Sequence, residues 1–261
     1  MEPEGDNSRT DFKRVLILNS YDEGYRWTSQ QSNTIIQRLK EEFDDILIFV
    51  EYMDTKYHPE NTNLELLYKL YQYKYSDMKI DLVFTTDNAA LEFAVDHRKE
   101  LFSDAAIVYS GVTKKSAAEI LNGVENVVGV YEVLNPAETV RVAAQINPGL
   151  EKIYLIFDNS QSGRDSTKII TESLAGTGYE LIFLNMLSID SLLEKASTLG
   201  PNSIILLGPY SADVNGYRIP ADKFSELISR ASSVPVYDLS DYRLGHGILG
   251  GCLLSASETG K

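Results

Sequence analysis

Short runs of β-branched and aromatic residues alternate with longer amphipathic segments along almost the whole chain. The first run, residues 14–19 (RVLILN), is apolar and ends at the turn-forming pair Asn19-Ser20. From Thr28 onward, apolar residues recur at helical spacing with polar side chains between them. Strands separated by helical segments are typical of right-handed βαβ units, which build a parallel sheet. The sequence therefore predicts an α/β fold.

The alternation occurs in two series, and the second begins near Asn135-Pro136. The predicted strands cover residues 14–19, 46–52, 82–86, 106–110 and 127–131 in the first series, and 153–157, 180–184, 203–207 and 234–239 in the second. A last strand is predicted in GILGGCLL, followed by the start of a helix. Because a single sheet of about ten strands is near the upper size for a twisted open sheet, we predict two lobes. The first covers residues 14–133 with a return segment 248–261, and the second covers residues 134–247.

Composition excludes several classes of partner and site. The formal net charge of −14 would repel a phosphate backbone, so we expect no nucleic-acid partner. The single cysteine, Cys252, excludes an internal disulfide, and its apolar neighbours predict a packed strand residue. No apolar run approaches the roughly 20 residues of a transmembrane helix. We therefore expect no transmembrane helix in the chain itself.

Catalytic and cofactor motifs are not evident. His58, His97 and His246 lack a second ligand at metal spacing. The segment NSYDEG has one glycine where a dinucleotide fingerprint needs three, and SGRDSTK lacks the ending of a P-loop. We expect no metal, no cofactor and no enzymatic activity. The alternative that stays open is an α/β enzyme acting on a small metabolite with Asp87 and Asp238 as acid and base.

The loops after the predicted strands carry the candidate site. In open α/β sheets ligands lie beyond the carboxyl ends of the strands, where helix N-termini and loop groups converge. These loops offer hydroxyl, carboxylate, amide and aromatic side chains, the usual composition of a small-molecule pocket. Any one of these residues can equally cap a helix or form a turn, so only the set predicts a site. His246, between two glycines, is a further candidate contact.

Several segments together resemble a known family. RVLILNSYDEGYRWT, VEYMDTKY, GVTKKS, GVYEV and PVYDLSDYRLGHGILGG are similar to the extracytoplasmic sensor domains related to ABC-transporter substrate-binding proteins. Such domains are found ahead of bacterial histidine kinases, as in two-component systems, and of diguanylate cyclases. The resemblance extends from about residue 13 to residue 251 and implies a type I periplasmic-binding fold, with two Rossmann-like lobes and a ligand in the cleft between them.

Site residues carried over from the resemblance fall on both lobes. Ser20, Tyr21, Trp27, Asp87, Asn88, Ser110 and Gly111 are expected on the first lobe, and Asn159, Ser160, Tyr210, Asp238 and Tyr242 on the second. The family normally continues into a helix that packs back on the first lobe, and we expect that C-terminal helix to be missing here.

The resemblance also implies a function and a location. A small molecule is expected to favour closure of the lobes, which a signalling parent protein reads at the periplasmic or extracellular face of a bacterial membrane. Contact with the membrane is expected only through that parent protein. A homodimer through the first lobe is a further expectation. The alternative is the substrate-binding component of an ABC transporter, and the identity of the ligand stays open.

Overall fold

The computed structural model describes residues 12–261, which group into two units. The first unit contains the described residues up to Gly24, together with Thr28–Tyr131 and Thr259–Lys261. The second contains Tyr25–Trp27 and Glu132–Glu258. Residues 248–258, expected as a return segment of the first lobe, therefore group with the second unit. One reason is that the Cys252 N–H donates to Thr139 Oγ1 at 2.9 Å within that unit.

The first unit is built on a five-stranded sheet with the order β2-β1-β3-β4-β5. Its elements are β1 (Lys13–Asn19), α1 (Arg26–Glu42), β2 (Ile46–Tyr52), α2 (Asn61–Tyr75), β3 (Leu82–Thr86), α3 (Asp87–Leu101), β4 (Ala106–Thr113), α4 (Lys114–Ile120) and β5 (Val127–Glu132). Strands β1 to β4 pair in parallel. Side chains of β1 alternate between two core clusters, as expected for a strand covered on both faces. Leu16 and Leu18 pack with α2 and α3, whereas Val15 and Ile17 pack with α1.

The second unit is built on a four-stranded parallel sheet with the order β7-β6-β8-β9. Its elements are α5 (Pro136–Ile146), β6 (Lys152–Ile156), α6 (Gln161–Ser173), β7 (Glu180–Phe183), α7 (Ile189–Ser197), β8 (Ser203–Leu207), α8 (Ala221–Ala231), β9 (Val236–Asp238), a 3₁₀ turn (Asp241–Arg243) and α9 (Ala256–Thr259). Every residue of β8 is buried. Ile205 and Leu207 face the core formed with α7 and α8, and Ile204 and Leu206 face the core formed with α5 and α6.

The predicted α/β fold with two parallel sheets is confirmed, and the predicted last strand is wrong. Residues 248–254 make only isolated bridges, Tyr237 with Gly250 and Ser240 with Leu254. Gly250 and Gly251 have φ angles of +136° and +155°, which interrupt regular extended backbone at that point. Cys252 is therefore a half-buried loop residue and not a strand residue. Among residues 12–261, no helix is long and apolar enough to cross a membrane.

Candidate ligand-binding site

Three polar residues, Asn19, Thr86 and Ser110, form a row across the carboxyl edge of the first sheet. Asn19 is the register partner of Thr86, and Thr86 is the register partner of Ser110. The last residues of β1 and β3 therefore lie level with the middle of β4. The Thr86 hydroxyl donates to Asn19 Oδ1 at 3.1 Å, and Asn19 Nδ2 donates to the Glu51 carbonyl at 3.2 Å. The parallel register thus brings polar side chains from separate βα units to one edge, as the strand pattern predicts.

Ser20 holds this edge together. Its hydroxyl donates to the Thr86 carbonyl at 2.6 Å and accepts from the Ala90 N–H at 2.8 Å, in the first turn of α3. The residue is fully buried, and its carbonyl accepts both the N–H and the hydroxyl of Thr55. The predicted site residue Ser20 is therefore placed at the edge, where its hydrogen bonds go to the protein.

Asp87 begins α3 in a left-handed conformation, with a φ of +65°. Such a backbone is uncommon for a residue with a side chain and indicates a local constraint. Gly111 lies against it: a Cβ built on residue 111, itself at φ +70°, would be 2.9 Å from Asp87 Oδ1. The predicted residues Asp87 and Gly111 are thus in close contact, and Asn88 follows at the half-buried second position of α3.

Ser110 supplies a buried hydroxyl with no hydrogen-bond partner within residues 12–261. Leaving such a group unsatisfied costs about 1–3 kcal/mol. A ligand that reaches this edge can therefore gain a hydrogen bond that the protein alone does not supply. Tyr21, next to Ser20, is half-buried, and the Lys56 Nζ lies 4.4 Å from the centre of its ring.

The sequence reasoning missed two polar residues on α1. Gln31 is fully buried, and both polar atoms of its amide lack a partner within the described chain. The Thr28 hydroxyl is buried in the same way, three residues earlier and therefore on the same helix face. The available signal was the interruption of the apolar face between Trp27 and Ile35 by polar residues at helical spacing.

In the second unit, Asp158 organises the loop after β6. One carboxylate oxygen accepts from the Ser160 N–H at 3.0 Å and from its hydroxyl, and the other accepts from the Ser211 N–H at 2.8 Å and hydroxyl at 2.6 Å. Ser160 also caps α6 by accepting from the Gly163 N–H at 3.2 Å. Ser160 was predicted as a ligand contact, and residues at such positions can equally cap a helix. In the structure, Ser160 caps α6.

Asn159 and Tyr210 occupy different environments in this unit. Asn159 is exposed, and its amide contacts Met186 Sδ and Asn185. Tyr210 is buried and stacks on Phe224, with ring centroids 3.9 Å apart. Burial, followed by the negative charges of Asp213 and Asp158, raises the pKa of Tyr210 far above its ordinary value. Tyr210 remains a neutral phenol whose hydroxyl has no partner in the described part of the chain.

Asp238 is fully buried and ion-paired with Arg243. Its Oδ2 accepts from Arg243 Nη1 at 2.8 Å, while Oδ1 accepts from the N–H groups of Leu239 and Ser240 at 2.6 and 2.9 Å. Arg243 Nη2 also donates to the Gly208 carbonyl at 3.1 Å. Both Asp238 oxygens are therefore occupied by protein donors. An acid–base role for Asp238, which the enzyme alternative needs, has no support in this geometry.

Tyr242 lies in an aromatic cluster with Tyr25 and Trp27. The two tyrosine hydroxyls are 3.2 Å apart, and the ring centroids of Trp27 and Tyr242 are 6.4 Å apart in an edge-on arrangement. The Arg243 guanidinium lies 4.6 Å from the centre of the Tyr242 ring, at cation–π distance. Trp27, expected on the first lobe, therefore groups with the second unit because it packs on Tyr242. Trp27 and Tyr242 are buried, and Tyr25 is half-buried.

His246 bridges two charged side chains of the second unit. Its Nδ1 is 3.0 Å from Glu226 Oε1, and its Nε2 is 3.0 Å from Arg26 Nη1. This geometry gives His246 protein partners on both ring nitrogens. No group of three or more histidine, cysteine or carboxylate residues suited to a metal ion occurs within residues 12–261.

Comparison with solved structures reveals the same fold in substrate-binding proteins. No protein-family model matches the sequence, and no curated protein matches it significantly. An ABC domain from Streptococcus pneumoniae in complex with L-Trp aligns with a TM-score of 0.67 at 13% identity, covering 95% of this chain and 81% of that one. A ligand-free substrate-binding protein with adhesive properties from Clostridium difficile gives 0.62 at 14% identity, with 95% and 81% covered. The chain has the fold of these proteins. A third structure, an R. palustris solute-binding protein in complex with 4-hydroxybenzoate, gives 0.58 at 12% identity and covers 90% of this chain and 63% of that one.

Proposed function

We propose that this chain binds a small organic molecule and does not catalyse its conversion. The observation that carries the proposal is the buried, partnerless hydroxyl of Ser110 at the carboxyl edge of the first sheet. Buried polar groups in native proteins are nearly always hydrogen-bonded, and a ligand is one way to satisfy an exception. The substrate-binding fold supports this interpretation, because ligands of open α/β sheets lie at that edge. The proposed contacts of the first unit lie at the carboxyl edge of its sheet.

We propose an aromatic acid or aromatic amino acid as the first class of ligand to test. Two proteins with the same fold are in complex with L-Trp and with 4-hydroxybenzoate. In the first unit, the hydroxyl and amide groups at the carboxyl edge of the sheet suit the polar part of such a molecule. The half-buried ring of Tyr21, next to Ser20 in the same unit, offers aromatic surface for its ring.

The biological role that we propose is sensing outside the cytoplasm. In this proposal ligand binding is transmitted to a signalling parent protein, such as a histidine kinase or a diguanylate cyclase, which also connects the domain to a membrane. Self-association through the first unit is part of the proposal. Its support is the sequence resemblance stated above, together with the substrate-binding fold.

A thermal-shift panel of aromatic acids, amino acids, sugars, nucleosides, purines, polyamines and organic acids tests ligand binding. A ligand that binds only the native state stabilises it, by about 2.7 kcal/mol at a concentration of 100 Kd. We expect an aromatic acid to raise the melting temperature, and the rise to be smaller in the Ser110→Ala variant at the same concentration. An equal rise in both proteins would exclude Ser110 as a contact, and no rise with any compound would contradict the binding function.

A further inference from the structure

Strand β2 leaves an open edge on the sheet of the first unit. It is the outermost strand next to β1, and its seven residues, ILIFVEY, contain no proline or glycine and one charged residue, Glu51. The outward backbone groups of an edge strand can pair with another strand, and proteins usually protect such edges with charges, prolines or bulges. The first five residues of β2, ILIFV, contain no charged residue and no proline that would protect this edge.

Helix α2 presents a second apolar face beside its buried one. Tyr71 and Tyr75 point into the core, whereas Leu66, Leu70 and Tyr73 are 61%, 46% and 87% exposed. The three exposed residues are separated by four and three positions, so they form one stripe along the helix. A stripe of large apolar side chains in water is typical of an interaction surface when it adjoins other apolar surface.

The β2 edge adjoins the α2 stripe at Tyr73. A groove of about 640 Å³ lies between β2 and the C-terminal end of α2, and it is lined by Ile48, Phe49, Val50, Glu51, Tyr73, Lys74, Tyr75 and Met78. Within it, the Glu51 carboxylate accepts from the Tyr75 hydroxyl at 2.5 Å and pairs with Lys74. We call this combination, residues 46–52 with Leu66, Leu70 and Tyr73, the β2–α2 surface.

We propose that a second copy of this chain covers the β2–α2 surface around a two-fold axis. An extended peptide would pair with the strand edge but leave the helix stripe in water, and a foreign helix would do the reverse. A two-fold axis perpendicular to the sheet places β2 antiparallel to its symmetry mate and α2 antiparallel to its own. One symmetry operation therefore covers both features, as in isologous interfaces generally.

The charges of the β2–α2 surface permit this self-pairing. The net charge of −14 would make most like surfaces of this chain repel each other. Here both signs occur together, since α2 exposes Glu65 and Lys69, and Lys74 lies beside Glu51. Acidic and basic side chains can therefore alternate across the axis. The inference gives a surface to the self-association in the proposed function and does not depend on the ligand.

The opposite edge of the same sheet supplies a control. Strand β5 is also outermost and exposes Val128 and Val130, at 66% and 57%. Helix α4, which precedes it, has no large exposed apolar residue in the described structure. The β5 edge thus has exposed apolar side chains without a matching helix stripe.

Analytical ultracentrifugation of the full 261-residue chain tests the proposal with two matched variants. We expect the wild type to be dimeric at micromolar concentrations, and Leu70→Asp to weaken the dimer at least ten-fold. Because Leu70 is 46% exposed, the Leu70→Asp monomer should have a melting temperature close to that of the wild-type protein diluted until it is monomeric. Val128→Asp should dimerise like the wild type. A monomeric wild type, an unaffected Leu70→Asp dimer, or equal loss in both variants would each overturn the proposal.

Crosslinking locates the contact independently of affinity. In a Cys252→Ser background, Leu70→Cys should form dimers with a short bis-maleimide, and Val128→Cys should not. Equal crosslinking of the two variants, or crosslinking through residue 128 alone, would refute the proposal that the β2–α2 surface is the dimer interface. Ligand binding by the monomeric Leu70→Asp variant, measured on the same compound panel, separates failure of this inference from failure of the binding function.

Discussion

Gly111 lies so close to Asp87 that a Cβ on residue 111 would be 2.9 Å from Asp87 Oδ1. Both residues also have positive φ, +70° and +65°. Gly111, within β4, and Asp87, the first residue of α3, therefore constrain each other's position at the carboxyl edge. The constraint lies beside the buried Ser110 hydroxyl, which is the observation behind the proposed binding function.

Replacing Gly111 with alanine should destabilise the first unit and weaken ligand binding. A side chain in the left-handed region costs about 1–2 kcal/mol, and displacement of Asp87 adds to this. Gly123→Ala is the control, because Gly123 has φ +76° but no atom within 4 Å of a built Cβ. Urea unfolding should show the larger loss for Gly111→Ala. Equal losses would mean that the contact with Asp87 has no energetic effect.

Two serine-to-alanine variants should behave in opposite ways. Ser20→Ala removes two hydrogen bonds and leaves the Ala90 N–H and a share of the Thr86 carbonyl unsatisfied, which should cost about 1–3 kcal/mol. Ser110→Ala removes a hydroxyl without a partner in the described chain, so the free energy of unfolding should stay the same or rise. Denaturant titrations without ligand compare the two, and a larger loss for Ser110→Ala would show that its hydroxyl is already satisfied.

The buried ion pair in the second unit should be sensitive to loss of either partner. Arg243→Met leaves the Asp238 carboxylate buried without its cation, and breaking such a pair costs about 3–5 kcal/mol. Arg141→Met is the matched control, because Arg141 is exposed and paired with Glu138 on the helix surface, where pairs contribute about 0–1 kcal/mol. Thermal unfolding of both variants is the measurement. Similar small losses would contradict the structural role assigned to Arg243.

The carboxyl of Glu226 should titrate below its usual range because of His246. The hydrogen bond from His246 is the largest cause that lowers the pKa of Glu226, followed by that from Lys223. The ionised form therefore adds stability above the unfolded pKa, and this contribution is lost as the pH falls through the lower folded pKa. In an NMR titration of the side-chain carboxyl, His246→Leu and Lys223→Met should each raise the pKa of Glu226. An unchanged pKa in His246→Leu would show that the hydrogen bond from His246 does not lower it.

Strand and helix patterns predicted the fold well, because periodicity reports which faces are buried. Strands β2, β3 and β8 have the predicted bounds, and β1 is one residue longer at its start. Helices α4 and α7 are short, with seven and nine residues, and were not predicted. The last predicted strand failed because apolar content does not show that Gly250 and Gly251 adopt positive φ.

The site was harder to predict, since residue type does not show how a polar group is used. Ser20 and Ser110 both follow the apolar part of a strand, yet one hydroxyl has two protein partners and the other has none in the described chain. Asp238 was predicted as a ligand contact from its position after a strand. Its ion pair with Arg243 could not be predicted, because Arg243 lies five residues later in a turn that no periodic pattern indicates. Gln31 was missed because it interrupts a helix face that otherwise predicts core packing.

Calorimetric titration of the best compound from the panel, followed by NMR of the recovered compound, tests the central claim most directly. We predict stoichiometric, saturable binding that is weaker in Ser110→Ala, and recovery of the compound chemically unchanged. The intrinsic fluorescence of Trp27, the single tryptophan of the chain, gives an independent readout of the same titration. Conversion of the compound into a product during the experiment, or affinity that is equal in wild type and Ser110→Ala, would contradict the account.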